Sequence, residues 1–285
     1  MKLAVSTPVV TLVGGLHAEW ERTGTVADVA RVAEEADRLG YDHLTCSEHV
    51  GIPAAEAPRR GARYWDPLAT FGYLAAHTRN IRLATWVLVL GYHHPLEIAK
   101  RYGTLDLVSG GRLVLGVGVG SLEQEFALLG APFADRGARA DDALRALRAA
   151  LSDSEPSYQG PYYSFGEMVV DPCAVQPKVP IWVGGRTPRS LRRAVTLGDG
   201  WCPFDVSPAT AAEWLARVDL PRDFEVVLGA DRPVDPIEQP AETLAVLAEM
   251  AGAGVTIFSA RVVHRSLDHY LEQLSALAEL HSTNI

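Results

Sequence analysis

The chain has 285 residues, of which 48% are hydrophobic and 21% are charged. This balance is typical of a globular protein and excludes a disordered chain, and no apolar run approaches the length of a membrane span. A formal net charge of −9 argues against a nucleic-acid surface, because phosphate contacts need a basic footprint.

The amino end enters a strand-like pattern at once, without the charged and long apolar regions of a secretory signal, so the cytoplasm is the expected location. Three widely spaced cysteines, Cys46, Cys173 and Cys202, predict neither a disulfide framework nor a zinc pair. His93 and His94 are adjacent and have no third ligand at a suitable spacing, so no metal is expected. Small molecules are therefore the expected partners.

Strand-like runs alternate with helical patterns along the whole chain, which predicts parallel strands joined by helices. The eight predicted strands cover residues 3–7, 43–47, 81–90, 113–118, 180–184, 200–204, 224–230 and 255–260. The first helix is expected to begin after Thr25 and to end at Gly40, and Pro67 and Pro95 lie at the first positions of later helices. Eight such units in one domain, 1–285, predict a closed (β/α)₈ TIM barrel of the α/β class, with an open doubly wound sheet as the alternative.

Two segments exceed a minimal barrel. Residues 50–64 form a long loop after the second strand, which is expected over the face where the strands end. Residues 153–178 form an insertion before the fifth strand, and its part 158–165 is typical of a small hairpin.

Three segments at predicted strand ends are candidates for chemistry, since barrel enzymes place their sites there. Glu48 and His49 follow the second strand and join a carboxylate to an imidazole suited to acid–base work. The run LVLGVGVGS at 113–121 carries alternating glycines on one side of a strand, which suggests that a planar ligand packs there. The run PIWVGGRTP at 180–188 joins a strand to a helix start, a geometry suited to phosphate.

Together these segments resemble the bacterial luciferase-like oxidoreductases, which use flavin mononucleotide (FMN) or the deazaflavin coenzyme F-420. The resemblance rests on residues 39–42 and 47–49, 66–67 with 76–85, 94–95, 104–121, 136–137, and 180–185 with 198–201. It implies a luciferase-like barrel with an insertion before strand 5, an oxidoreductase or monooxygenase activity, and a possible homodimer.

The resemblance also implies roles for individual residues. His49 matches the catalytic histidine beside the coenzyme ring, and Glu48 matches its acidic neighbour. Trp86 and Val87 fall where F-420-dependent relatives have a cis peptide bond behind the ring. The remaining residues implied to bind the coenzyme are Val119, Gly120, Ser121, Gly184, Gly185, Arg186 and Thr187.

Ser121 departs from the family pattern, because the sugar-phosphate dehydrogenases of the family have a glutamate there that protonates the deazaflavin. The sequence therefore disfavours sugar-phosphate oxidation. Glu123 and Glu125 are one turn away and are expected to face their helix, so neither replaces that carboxyl group.

We expect hydride transfer between F-420 and a small organic substrate. F-420 is preferred over FMN because the chain is short and only three of its 26 basic residues are lysine, as in actinobacterial members. The alternatives are a two-component monooxygenase that uses reduced FMN and a flavin-binding barrel without turnover.

Overall fold

The computed structural model describes residues 1–283 and has the eight predicted parallel strands. The strands are β1 Lys2–Val5, β2 His43–Cys46, β3 Arg82–Thr85, β4 Leu113–Gly118, β5 Ile181–Gly184, β6 Gly200–Cys202, β7 Glu225–Leu228 and β8 Ile257–Ala260. Each strand pairs with the next, and β8 pairs with β1, for example Ser259 opposite Ala4. The sheet is therefore a closed barrel, which confirms the predicted fold and excludes the open sheet.

Ten α-helices lie between residues 1 and 283. They are α1 Val26–Arg38, α2 Ala57–Arg60, α3 Pro67–His77, α4 Pro95–Ser109, α5 Glu123–Leu128, α6 Arg136–Ala150, α7 Pro188–Leu197, α8 Pro208–Leu215, α9 Pro240–Gly252 and α10 Leu267–Thr283. Short α2 and α5 follow β2 and β4, and the other eight are the barrel helices. As predicted, the Thr25 side chain caps α1, and Pro67 and Pro95 are the first residues of α3 and α4.

The barrel has one hydrophobic layer inside the strands and another between strands and helices. The inner layer contains Ala4, Ala84, Val114, Trp182, Cys202, Val227 and Ile257. The larger outer cluster includes Leu44, Leu83, Leu115, Val226 and Phe258, which alternate with inner residues along their strands. Because both faces of the strands are buried, the strands are almost continuously apolar. The packed layers on both sides give rigid support to the groups at the strand ends.

Both predicted additions to the minimal barrel are present. The loop 50–64 contains α2 and a short strand, Arg63–Tyr64, which pairs with Thr11–Leu12 after β1. The insertion contains the antiparallel pair Tyr158–Gln159 and Ser164–Phe165. The peptide bond between Trp86 and Val87 is cis, as the family resemblance implies, and Leu88–Val89 then resumes pairing with the end of β4.

No helix within residues 1–283 is both long enough and apolar enough to cross a bilayer.

Candidate active site at the strand ends

A cavity of about 660 Å³ opens where β1, β2, β6, β7 and β8 end. Its lining includes Ser6, Thr45 and Ser47 from the first two strands and their exits, and Trp86 after β3. This volume is within the range of small-molecule sites, and Trp86 supplies an aromatic wall. Of the predicted site residues, Trp86 alone lines this cavity within the described chain; the others lie at or just after the ends of β2 to β5.

His49 is held by a buried carboxylate that the sequence analysis placed wrongly. Its Nδ1 donates a hydrogen bond of 2.6 Å to Glu125 Oε2, and the edge of its ring meets the Tyr64 ring at 4.5 Å between centroids. Glu125 belongs to α5 and is 1% exposed, and instead of facing its own helix, as expected, its carboxylate reaches the residues that follow β2. This arrangement leaves His49 Nε2 as the nitrogen that can exchange a proton with a ligand.

Glu125 gathers four donors in all. Besides His49, it accepts hydrogen bonds from the Tyr92 hydroxyl at 2.8 Å and from the backbone N–H groups of Val50 and Gly51 at 2.8 and 3.2 Å. Burial alone would raise the pKa of Glu125, but the bonds from His49 and Tyr92 outweigh it and hold the pKa below its ordinary value. The carboxylate is therefore ionised and ties the start of the loop 50–64 to α5.

Glu48 does not pair with His49, its neighbour in the sequence. Its carboxylate accepts hydrogen bonds from His93 Nε2 and from the backbone N–H of Val89, both at 2.6 Å. Burial lowers the pKa of His93, but the bond to Glu48 outweighs it, so the pKa is raised above the ordinary value. Glu48 thus fixes the chain that follows the cis peptide bond, which is a positioning role.

The glycines of β4 accommodate protein atoms, which corrects the expectation that they admit a planar ligand. A Cβ atom on Gly116 would lie 2.0 Å from the carbonyl oxygen of Thr85, and one on Gly118 would lie 2.7 Å from Val87 Cγ2. Gly184 in β5 is equally close to Val87, at 2.9 Å from Cγ1. The glycines therefore let Val87 pack between β4 and β5 inside the barrel.

Beyond β4 the chain turns at Gly120, whose φ of +79° lies in the left-handed region that favours glycine. A Cβ atom there would lie 2.5 Å from the Phe126 ring. Val119 packs against the outer hydrophobic cluster. Ser121 is exposed, and its hydroxyl accepts a long 3.5 Å bond from Arg60 Nη1 in the loop 50–64.

The turn after β5 leads directly into α7. Gly185 has a φ of +133°, and the Thr187 side chain caps α7 by accepting a bond from the N–H of Ser190. The Arg186 side chain is 63% exposed and forms a 3.5 Å ion pair with Asp205, which lines the cavity. The turn and the cavity therefore adjoin through Arg186 and Asp205.

In the part of the chain from 1 to 283, no three His, Cys, Asp or Glu side chains are grouped so that they could hold a metal ion.

The family model for luciferase-like monooxygenases matches residues 1–279. The chain belongs to this family. A Mycobacterium tuberculosis protein of uncharacterized function is 34% identical over 201 residues, which cover 65% of this chain and 70% of that protein. A phthiodiolone/phenolphthiodiolone dimycocerosates ketoreductase of Mycobacterium bovis is 29% identical over 248 residues, 80% of this chain and 64% of the relative.

Three solved structures illustrate the range of this fold. A monooxygenase of Streptomyces bottropensis has a TM-score of 0.76 at 20% identity and covers 99% of both chains. An F-420-dependent secondary alcohol dehydrogenase, solved with an F-420–acetone adduct, has a TM-score of 0.72 at 15% identity, with 97% of this chain and 98% of that one covered. The FMN-bound oxygenating constituent of a Pseudomonas putida diketocamphane monooxygenase has a TM-score of 0.67 at 15% identity and covers 100% and 99%.

Proposed function

We propose that the protein is an oxidoreductase that moves a hydride between coenzyme F-420 and the carbonyl or alcohol carbon of a small organic substrate. The observation that carries the proposal is the His49–Glu125 pair at the end of the barrel where the cavity opens. Reduction of a carbonyl group needs a hydride on carbon and a proton on oxygen. When bound, the deazaflavin would supply or accept that hydride at its C5.

The residues of the chain would handle the proton. Glu125 holds Nδ1 of His49, so the imidazole keeps one orientation and its Nε2 can give a proton to, or take one from, the substrate oxygen. His49 would thus act as the acid–base catalyst, and Glu125 would be its positioning residue.

The surroundings fit a flavin-type coenzyme. Trp86 provides an aromatic wall to a cavity of about 660 Å³, and the turn Gly184 to Thr187 would bind a phosphate with its backbone N–H groups and the N-terminus of α7. Val119, Gly120 and Ser121 would lie along the coenzyme. The ketoreductase relative and the alcohol dehydrogenase structure, which act on carbonyl or alcohol carbons by their names, support the substrate class.

An FMN-dependent two-component monooxygenase is the second candidate, supported by the family description and by the FMN-bound neighbour. The two candidate functions are distinguished by incubating the protein anaerobically with reduced F-420 and a panel of ketones and aldehydes, and following reoxidation of the coenzyme. Anaerobic turnover that falls at least a hundredfold in His49→Ala is expected. Turnover only with reduced FMN and oxygen would establish the monooxygenase, and no turnover of the wild type with either coenzyme would leave a flavin-binding barrel without turnover. Equal turnover of wild type and His49→Ala would refute the role given to His49.

A further inference from the structure

One wall of the cavity is built by β8 and the residues that follow it. Ile257 lies in the inner layer, and because side chains alternate along an extended chain, Ser259 and Arg261 face the same interior. The chain stays extended past β8, since Val262 forms a parallel bridge with Val234. Ser259 and Arg261 therefore point from one strand into one cavity.

Ser259 has an unsatisfied polar atom. The residue is 2% exposed, and its hydroxyl oxygen has no hydrogen-bond partner among residues 1–283. A buried hydroxyl without a partner destabilises the folded state, so such groups are rare unless a ligand satisfies them. Its place in the cavity lining makes an occupant of the cavity the natural partner.

Arg261 forms no ion pair within residues 1–283, although the Asp231 carboxylate lies near enough to interact with its charge. Its Nη2 donates 3.0 Å hydrogen bonds to the carbonyl oxygens of Ala230 and Asp231, which fix the guanidinium plane. In the described part of the chain, no carboxylate lies within 4 Å of it and no acceptor is bonded to Nε or Nη1. One side of the guanidinium fork is thus available to an oxyanion, the ligand whose planar shape it matches.

Neighbouring polar groups of the cavity are already engaged. Glu21 accepts bonds from the backbone N–H groups of Val9 and Ala18. His264 accepts from Trp20 Nε1, and burial lowers its pKa to about 4, so it is neutral near pH 7. Neither group forms an ion pair or a hydrogen bond with Arg261 within residues 1–283.

Large apolar side chains lie at the mouth of the same cavity. Leu16, Phe204 and Val263 line it and are 51%, 46% and 42% exposed. Exposed apolar groups around an opening are typical of a site that receives an apolar ligand. The cavity thus has the Arg261 guanidinium on one wall and large apolar side chains at its entrance.

We propose that Ser259 and Arg261 anchor the carboxylate end of an otherwise apolar organic substrate, whose chain leaves past Leu16, Phe204 and Val263. The assignment of this ligand as substrate rests on the proposed oxidoreductase function, whereas the carboxylate site itself does not. The expected substrates are therefore medium-sized carboxylic acids that carry a reducible carbonyl or an oxidisable alcohol group.

The test titrates decanoate, and 1-decanol as its uncharged match, into coenzyme-free protein and records the heat of binding. Decanoate is expected to bind about tenfold more weakly to Arg261→Gln and several-fold more weakly to Ser259→Ala, with decanol affected less than twofold. Arg265→Gln is the matched control, because Arg265 is four residues along and does not line the cavity. Arg261→Lys keeps the charge without the fork and is expected to lie between wild type and Arg261→Gln.

Equal decanoate affinity in wild type and in both Arg261 variants would overturn the proposal. So would a loss of F-420 affinity in Arg261→Gln with unchanged decanoate affinity, since the anion bound there would then belong to the coenzyme. The predicted decanoate pattern in a protein that binds no F-420 would retain the carboxylate site and refute the proposed function instead. Thermal unfolding of each variant checks that the barrel is intact.

Discussion

Replacing Glu125 with glutamine removes the charge on which four hydrogen-bond donors converge. The carboxylate accepts from His49, Tyr92 and the backbone N–H groups of Val50 and Gly51. Glutamine keeps the shape of the side chain but has only one acceptor oxygen. Its NH2 group would face two of the donors that the second carboxylate oxygen accepts from in the wild type. At least two of the four donors therefore lose their acceptor.

The magnitude follows from the number of bonds lost. A hydrogen bond to a charged group contributes about 1.5 to 3 kcal/mol, so losing two predicts a loss of about 3 to 6 kcal/mol of unfolding free energy. The His49 side chain is 18% exposed, so water can replace part of its bond. The expected loss is therefore near the lower end, about 3 kcal/mol.

Guanidinium unfolding followed by tryptophan fluorescence measures this loss. Glu123→Gln is the matched control, because Glu123 lies two residues earlier in the same helix and is exposed. It is expected to change the unfolding free energy by less than about 0.5 kcal/mol. Equal stability of the two variants would refute the role given to Glu125.

The difference in unfolding free energy between wild type and Glu125→Gln is also expected to depend on pH, which provides a second check. The pKa of Glu125 is lower in the folded protein than its ordinary value of 4.5, so an unfolded chain takes up this proton first as the solution is acidified. The stabilisation is fully present above the unfolded pKa and is lost as the pH falls through the folded pKa. The gap between wild type and Glu125→Gln must therefore narrow below about pH 4.5.

Three further predictions concern other parts of the barrel. Gly118→Ala is expected to lower the unfolding free energy by about 1 to 3 kcal/mol, because the added methyl group clashes with Val87. Val87→Ala relieves this clash, so denaturant unfolding of the double variant should show a smaller loss than the sum of the two single losses. Asp42→Asn breaks a network of ion pairs in which the Asp42 side chain is 7% exposed, so unfolding free energy should fall by about 3 to 5 kcal/mol. The raised pKa of His93 beside Glu48 means that its stabilisation is complete below the unfolded pKa of about 6.5 and is lost as pH rises through the folded pKa, so His93→Gln should cost more at pH 6 than at pH 9 in thermal unfolding.

The barrel could be predicted from the sequence because its signals are local. Apolar runs covered on both faces, Thr25 as a cap and proline at the first position of α3 and α4 each act within a few residues. From the sequence alone, the alternating glycines of β4 are compatible with a planar ligand or with close packing of protein atoms. Only the structure shows that Val87 packs against Gly118 and so decides between the two.

The site was predicted less completely because its contacts join distant segments. His49 and Glu125 are 76 residues apart, and the helical period does not show which way α5 faces once a left-handed turn at Gly120 precedes it. Adjacency in sequence suggested that Glu48 serves His49, but neighbours on an extended chain point apart, and Glu48 bonds to His93 instead. The position of an acidic residue one turn after a glycine-rich strand end was the available signal for Glu125.

Equilibrium titration of the purified protein with oxidised F-420 and, separately, with FMN tests the proposed coenzyme most directly. Quenching of tryptophan fluorescence reports occupancy, because Trp86 lines the cavity. Saturable binding of F-420 with a dissociation constant at least tenfold below that of FMN is predicted. Tight binding of FMN without binding of F-420 would contradict the proposed function.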